Sequence, residues 1–327
     1  MNNSSITKPR LHYKPFDYPD LYEYYKESAL STWVGDSIPM SKDVHDFNHN
    51  CTEDEKDVIQ NILKGFTIIE TRIADYWGDI VTKRFPKFEL VAVARAFAFE
   101  ETNHQMAYSH LSDSLGLNDY QAFLEDEVVS EKLSQFIEDE DTLVSLATFS
   151  GVGEGIQLFA SFSVLLSFCR SNNRFTGIDA IVSYSAKEED RHSNFGIKLF
   201  NLLVKEQGIN KNQINKIYEA FRLGVQNEFY FIDQIFEGRT LTTINKEDLK
   251  DYILMRANAK LKEMNLDPIF EVEGKGYNIS SWFNVLVFSQ ASQDFFSRTR
   301  EGSTYSAIIT QDFKNFDYTK TRMVKFS

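Results

Sequence analysis

The sequence predicts an all-α protein, a helical bundle built around a metal site, and three observations carry that prediction. Apolar residues recur three or four positions apart over stretches much longer than a strand. Glycine and proline are scarce, 15 and 6 in 327 residues, and no strong hairpin signal interrupts the helical pattern. The phrase Glu-Glu-x-x-His then occurs twice, at 100–104 and at 188–192, each time inside a helical stretch. A carboxylate and an imidazole three residues apart share one helix face and grip one metal ion. Two such helices, each joined by an inward glutamate from another helix, make the inventory of a four-helix bundle that binds two metals.

The elements follow in order. Residues 1–50 are mixed and rich in aromatic side chains, with a short helical stretch from Leu21 to Trp33. Thr52 and Glu55 form a capping-box signature ahead of a long helix whose stripe runs Ile59, Ile62, Phe66, Glu70, Ile73 and Trp77, closed by Pro86. A second long helix places Leu90, Ala94, Phe97, Glu101, His104, Tyr108, Leu111 and Leu115 on one face before Gly116. Residues 119–137 read as a shorter acidic helix. A third long helix, 143–169, carries Ala147, Glu154, Leu158, Phe162 and Leu165, with Gly151, Gly153 and Gly155 lowering its propensity and either bending it or admitting a close neighbour. The fourth presents Ile178, Ile181, Ser185, Glu189, His192, Gly196, Leu199 and Leu203. Further helices are expected at about 211–236, 246–264 and 280–297. The whole chain, 1–327, reads as one domain with flexible ends at about 1–12 and 300–327.

Composition narrows the function classes. A net charge of -13 argues against a broad nucleic-acid or anionic-membrane surface, which needs clustered Lys and Arg. Two cysteines, Cys51 and Cys169, are too few for a disulfide framework or a thiolate metal site. With no apolar leader in residues 1–10 and no uninterrupted apolar run of membrane length, a cytoplasmic protein is expected. The 28 Phe and 15 Tyr imply a core rich in rings.

Carboxylates on apolar stripes are costly unless paired or bound to a metal. The inward set is Glu70, Glu101, Glu154 and Glu189 with His104 and His192, an oxygen-and-nitrogen set suited to iron or manganese. The choice of Glu101 over Glu100 rests on the three-residue spacing to the histidine. Glu100 and Glu188 point less directly inward and are expected to support the ligands from behind.

With these positions in hand, the chain resembles the radical-generating small subunit of class I ribonucleotide reductase, a member of the ferritin-like dimetal carboxylate superfamily. The resemblance runs through Ser31-Thr32-Trp33, Ile68-Ile69-Glu70, residues 101–108, Glu154-Gly155-Ile156, residues 189–192 and Phe295-Phe296-Ser297-Arg298 before a tail containing Tyr305. It implies a ferritin-like bundle with additional peripheral helices and two metal ions per chain. Glu70, Glu101 and His104 would bind one ion, and Glu154, Glu189 and His192 the other. It further implies that Tyr108 is the tyrosine oxidised to a radical, and that Trp33 and Tyr305 stand on the electron route to a separate large catalytic subunit. Glu188 would hydrogen-bond His104 and Trp33. Rings at Phe97 and Phe162 are expected to keep water from Tyr108. A homodimer, an activating flavoprotein partner and no nucleotide site belong to the same implication.

The chain departs from the family pattern in ways that matter. Glu70 stands where many members have aspartate, a longer reach found in subgroups using manganese or a manganese–iron pair, so Fe/Fe, Mn/Fe and Mn/Mn all stay open. Glu188 replaces the usual aspartate. Ser185 falls where an apolar residue usually lines the radical pocket, which leaves the oxidising equivalent to Tyr108 or to the metals. Residues 313–327 carry Lys and Arg in place of an acidic tail. The rival reading is an oxygen-activating dimetal oxidase or hydroxylase acting on its own organic substrate.

Overall fold

The structure, a computed structural model, describes residues 5–117, 140–170 and 174–288, without the side chains of residues 67–72. The regular elements among the described residues are all helices, with no strand. Residues 1–288 form one compact unit, and 289–327 form a second that lies outside the described residues. The helix expected at 119–137 lies outside them as well.

Helix α1 (Pro19–Leu30) opens on proline, whose fixed backbone suits a first turn. It ends three residues short of Trp33, where the Ser31 N–H closes onto the Glu27 and Ser28 carbonyls. A 3-10 turn (Gly35–Ser37) follows, then α2 (Ser41–His49), a helix that the sequence pattern did not announce. Its buried side is acidic. Asp43 accepts the Gly177 and Ile178 N–H groups at 2.8 and 2.9 Å, and Asp46 accepts that of Phe175 at 2.9 Å. These carboxylates satisfy the open N–H groups at the start of a later helix and complement its dipole.

Helix α3 (Glu53–Asp75) starts with the expected reciprocal box. The Thr52 N–H donates to Glu55 Oε2 at 3.0 Å, and the Glu55 N–H donates to Thr52 Oγ1 at 3.1 Å. It runs on through a π stretch (Tyr76–Val81) into α4 (Thr82–Arg84). Helix α5 (Phe88–Ser114) stops where Gly116 takes φ +76°. Helix α6 (Thr142–Leu146), capped by the Asp141 carboxylate, widens into eleven residues of π-helix (Ala147–Gln157) and resumes as α7 (Phe159–Arg170). The glycines expected to weaken this helix sit inside the π stretch. Helix α8 (Thr176–Gln207) ends at Gly208, α9 (Lys211–Phe236) begins with an Asn210–Gln213 capping box, and α10 (Lys246–Glu263) and α11 (Tyr277–Phe288) complete the unit.

The four bundle members are α3, α5, the α6–α7 rod and α8, with α1 laid along α5 and with α9 and α10 covering the π stretch. Residues 142–170 are long and apolar enough to cross a membrane, yet the most apolar part is wholly buried in the bundle. A helix apolar all round is what a core position demands. At Gly196 of α8 the backbones meet so closely that a Cβ would stand 2.5 Å from Ser150 Cβ of the π stretch. That approach brings Glu154 beside Glu189 and His192.

In the N-terminal arm, expected to be flexible to about residue 12, two residues reach the bundle. Ile6 is fully buried and its N–H donates to Glu206, and Arg10 grips both oxygens of Glu89 at 3.1 and 2.7 Å. Lys87, itself fully buried, pairs with Asp17 at 2.8 Å. A buried lysine needs such a partner.

Candidate metal centre

Helix α5 supplies Glu101 and His104, α8 supplies Glu189 and His192, and the π stretch supplies Glu154; all five are fully buried. One ligand atom from each of Glu101, Glu154, Glu189 and His192 falls within 4.8 Å of the others. His104 Nδ1 completes the group, 3.1 Å from Glu189 Oε1 and 3.5 Å from Glu101 Oε2. Four of the six inward residues therefore converge, with His104 beside Glu189 and Glu101. The backbone of Glu70 lies on α3, but its side chain is outside the described residues, as is all of Tyr305.

The two motifs cross over. His192 Nδ1 of the second faces Glu101 Oε1 of the first at 2.7 Å, and His104 Nδ1 of the first faces Glu189 Oε1 of the second. Behind the rings the crossing repeats. His104 Nε2 donates to Glu188 Oε2 at 2.8 Å, and His192 Nε2 donates to Glu100 Oε2 at 2.8 Å. A carboxylate only accepts, so each Nε2 carries hydrogen and each Nδ1 is turned toward the centre. Glu100 and Glu188 thus stand behind the histidines, while Glu101 and Glu189 face the centre.

Trp33 is buried and donates its indole N–H to Glu188 Oε2 at 3.0 Å, the oxygen that also takes His104. Two further residues were not singled out by sequence reasoning. Trp77 donates to Glu154 Oε1 at 2.5 Å, and its place seven residues after Glu70 on the same stripe was the available signal, since a buried indole N–H seeks an acceptor. Arg191 donates to Glu100 Oε1 at 2.5 Å; a charge between two motif residues was the clue.

The electrostatics call for a cation. Burial, then the neighbouring Glu189, pushes the Glu154 carboxyl up to about 8. Burial works to lower His192, but Glu154, Glu100 and Glu101 outweigh it and hold the imidazole well above its ordinary value. Both oxygens of Glu101 and of Glu189, and Oε2 of Glu154, are buried without a hydrogen-bond partner. His192 Nδ1, close as it is to Glu101, is not aligned as a hydrogen bond either. Acceptors gathered this tightly without an aligned hydrogen bond fit divalent metal ions, and a carboxylate–imidazole set without thiolate fits iron or manganese.

Rings pack around the centre, though not all where expected. Phe97 lies against His192 at 4.1 Å and edge-on to Trp77, so it seals the histidine rather than Tyr108. The ring on Tyr108 is Phe66, at 4.5 Å, with Phe162 behind it at 5.5 Å. Tyr108 is fully buried with its ring 6.4 Å from that of His104, one helical turn away. Ser185 is also fully buried.

The family model for the ribonucleotide reductase small chain matches residues 10–278. A probable ribonucleoside-diphosphate reductase small subunit of Invertebrate iridescent virus 6 is 28% identical, covering 94% of this chain and 97% of its own. Among solved structures, the ribonucleotide reductase R2 subunit from Clostridium botulinum superposes with a TM-score of 0.73 at 18% identity, over 82% of this chain and 88% of its own. The dimanganese(II)-NrdF of Streptococcus sanguinis does so at 0.71 and 18%, over 81% and 95%. With a family match over most of its length and the carboxylate–histidine centre at its core, the chain belongs to the ribonucleotide reductase small chain family.

Proposed function

We propose that this chain is the small subunit of a class I ribonucleoside-diphosphate reductase, generating a one-electron oxidising equivalent for a separate large catalytic subunit. The observation that carries the reading is the buried convergence of Glu101, Glu154, Glu189 and His192, with His104 beside Glu189 and Trp33 bonded to Glu188 directly behind that histidine. Glu70, on the neighbouring helix, is the proposed sixth ligand. When bound, the metal pair supplies the oxidising power that the side chains lack.

The chain's own residues do the rest. Glu188 and Glu100 fix the two imidazoles with Nδ1 inward, and Trp77 holds one oxygen of Glu154 so that the other faces the site. Tyr108, buried under Phe66 one turn beyond His104, is the proposed seat of the oxidising equivalent. Burial of its phenol excludes water, which would otherwise quench it. Trp33 and Tyr305 are the proposed stations toward the large subunit. Manganese in at least one position is favoured by Glu70, and the dimanganese fold neighbour supports it.

A cytoplasmic homodimer activated by a flavoprotein completes the proposal. Phe99 and Met106, exposed seven residues apart along α5, are the face a second copy would cover. Electron paramagnetic resonance on the reconstituted chain, with metal analysis, tests the reading. A tyrosyl doublet lost in Tyr108→Phe supports it, and a Tyr108→Phe variant with full reductase activity places the equivalent on the metals.

A further inference from the structure

Arg191 has a place that neither the ligand set nor the Trp33 route explains. It precedes His192 on α8 and is nine-tenths buried. Its Nη2 donates to Glu100 Oε1 and lies 3.5 Å from Glu188 Oε1, while its Nη1 donates to Ser31 Oγ at 3.2 Å. One guanidinium therefore touches the outer carboxylates of both Glu-Glu-x-x-His motifs. It also ties down the segment that leads to Trp33.

The opposite oxygens complete the pattern. Glu100 Oε2 takes the His192 ring, and Glu188 Oε2 takes both the His104 ring and the Trp33 indole. Each outer carboxylate is thus stretched between a histidine on one oxygen and Arg191 on the other. We propose that Arg191 is a positioning residue, a shared clamp that holds both histidine ligands in register for the two metal ions. The inference rests on the dimetal reading above.

Removing Arg191 would unbalance the carboxylates behind both histidines. Glu100 Oε1 would be a buried acceptor with no donor, which is costly, so the side chain would turn away. His192 would then lose the acceptor that fixes its ring, and loss of such supporting partners weakens metal binding about ten- to a hundredfold. Arg191 sits closer to Glu100 than to Glu188, so the effect falls chiefly on the ion held by His192. Lysine keeps the charge but not the fork that reaches two carboxylates and a hydroxyl, so it substitutes only in part.

The test is a Mn(II) titration of the full-length, metal-stripped chain, with free Mn(II) followed by electron paramagnetic resonance. Wild type is expected to take two ions per chain. Arg191→Met is expected to weaken one of the two binding steps about ten- to a hundredfold and the other by less. Adding Glu100→Gln to Arg191→Met should change little, because both substitutions break one unit, whereas a merely structural role predicts additive losses. Two wild-type affinities in Arg191→Met, or strict additivity, overturn the proposal. Should Arg191→Met fail to fold, Arg191→Lys is decisive: weakening of the same step supports the clamp, and unchanged binding refutes it. A wild-type chain that binds fewer than two ions sinks the underlying reading and the clamp together, while two ions with an unaffected variant sink the clamp alone.

Discussion

Trp77 and Glu154 share a hydrogen bond at 2.5 Å in the buried core, and it decides which oxygen of the carboxylate looks into the metal centre. The indole is fully buried and stands edge-on to Phe97 at 5.1 Å, so it has no room to swing away. Trp77→Phe keeps most of the packing but strands Glu154 Oε1. The expected result is about 1–3 kcal/mol lower stability of the metal-free protein and metal affinity lower by about ten- to a hundredfold, measured by thermal unfolding and by Mn(II) titration.

Metal binding should depend on pH in a defined direction. Burial and Glu189 push the Glu154 carboxyl up to about 8, and the surrounding carboxylates raise the His192 imidazole, so the metal-free centre holds protons at neutral pH. These protons must leave as a cation enters. Mn(II) affinity is therefore expected to rise from pH 6 to pH 8, with proton release detectable in weak buffer. A flat profile with no proton release would speak against this electrostatic picture.

The same raised carboxyl bears on stability without metal. A carboxyl whose folded value exceeds its unfolded value of about 4.3 keeps a proton that the unfolded chain has lost. Its contribution turns unfavourable as pH rises through that interval. The metal-free protein should lose stability from pH 5 to pH 8, while the metal-loaded protein should not. Denaturant midpoints of the two forms across that range check this.

At the far end of the bundle, Asp46 works in the opposite sense. Burial would raise it, but Lys42, the Phe175 N–H and Asn50 outweigh burial and hold it at about 2. Its stabilisation is present above the unfolded value of about 3.9 and is lost as pH falls through 2. Asp46→Asn is expected to cost about 2 kcal/mol at pH 7. The difference from wild type should close between pH 4 and pH 2 in chemical denaturation.

Close approach of α8 to the π stretch gives a packing test. Gly196→Ala places a methyl against Ser150, Cβ to Cβ at 2.5 Å, and overpacking of this kind costs about 1–3 kcal/mol. Ser150→Gly in the same chain should restore much of that loss. Because both positions neighbour the ligands, metal stoichiometry should recover with stability.

Long apolar stripes made α3, α5 and α8 legible in the sequence, since burial of one face repeats every three or four residues. The same stripes exposed Glu101, Glu154, Glu189, His104 and His192 as charges on the wrong side of a helix. Helix α2 was hidden because its buried face is Asp43 and Asp46, which read as solvent-facing until the start of α8 arrives to be capped. The π stretch around Glu154 was hidden because glycines weaken an α-helix without saying how it deforms. Arg191 and Phe97 show the remaining limit. Their partners, Glu100 and His192, come from other helices or other turns, and only packing reveals which pair meets.

The buried carboxylates and imidazoles are held to bind two metal ions, and metal content of the full-length chain tests that most directly. Reconstitution with Mn(II) or Fe(II) should saturate near two ions per chain in wild type, and Glu101→Ala together with Glu189→Ala should remove nearly all of that binding while the helices persist by circular dichroism. Saturation well below two ions in wild type, or full binding in the doubly substituted chain, would contradict the account.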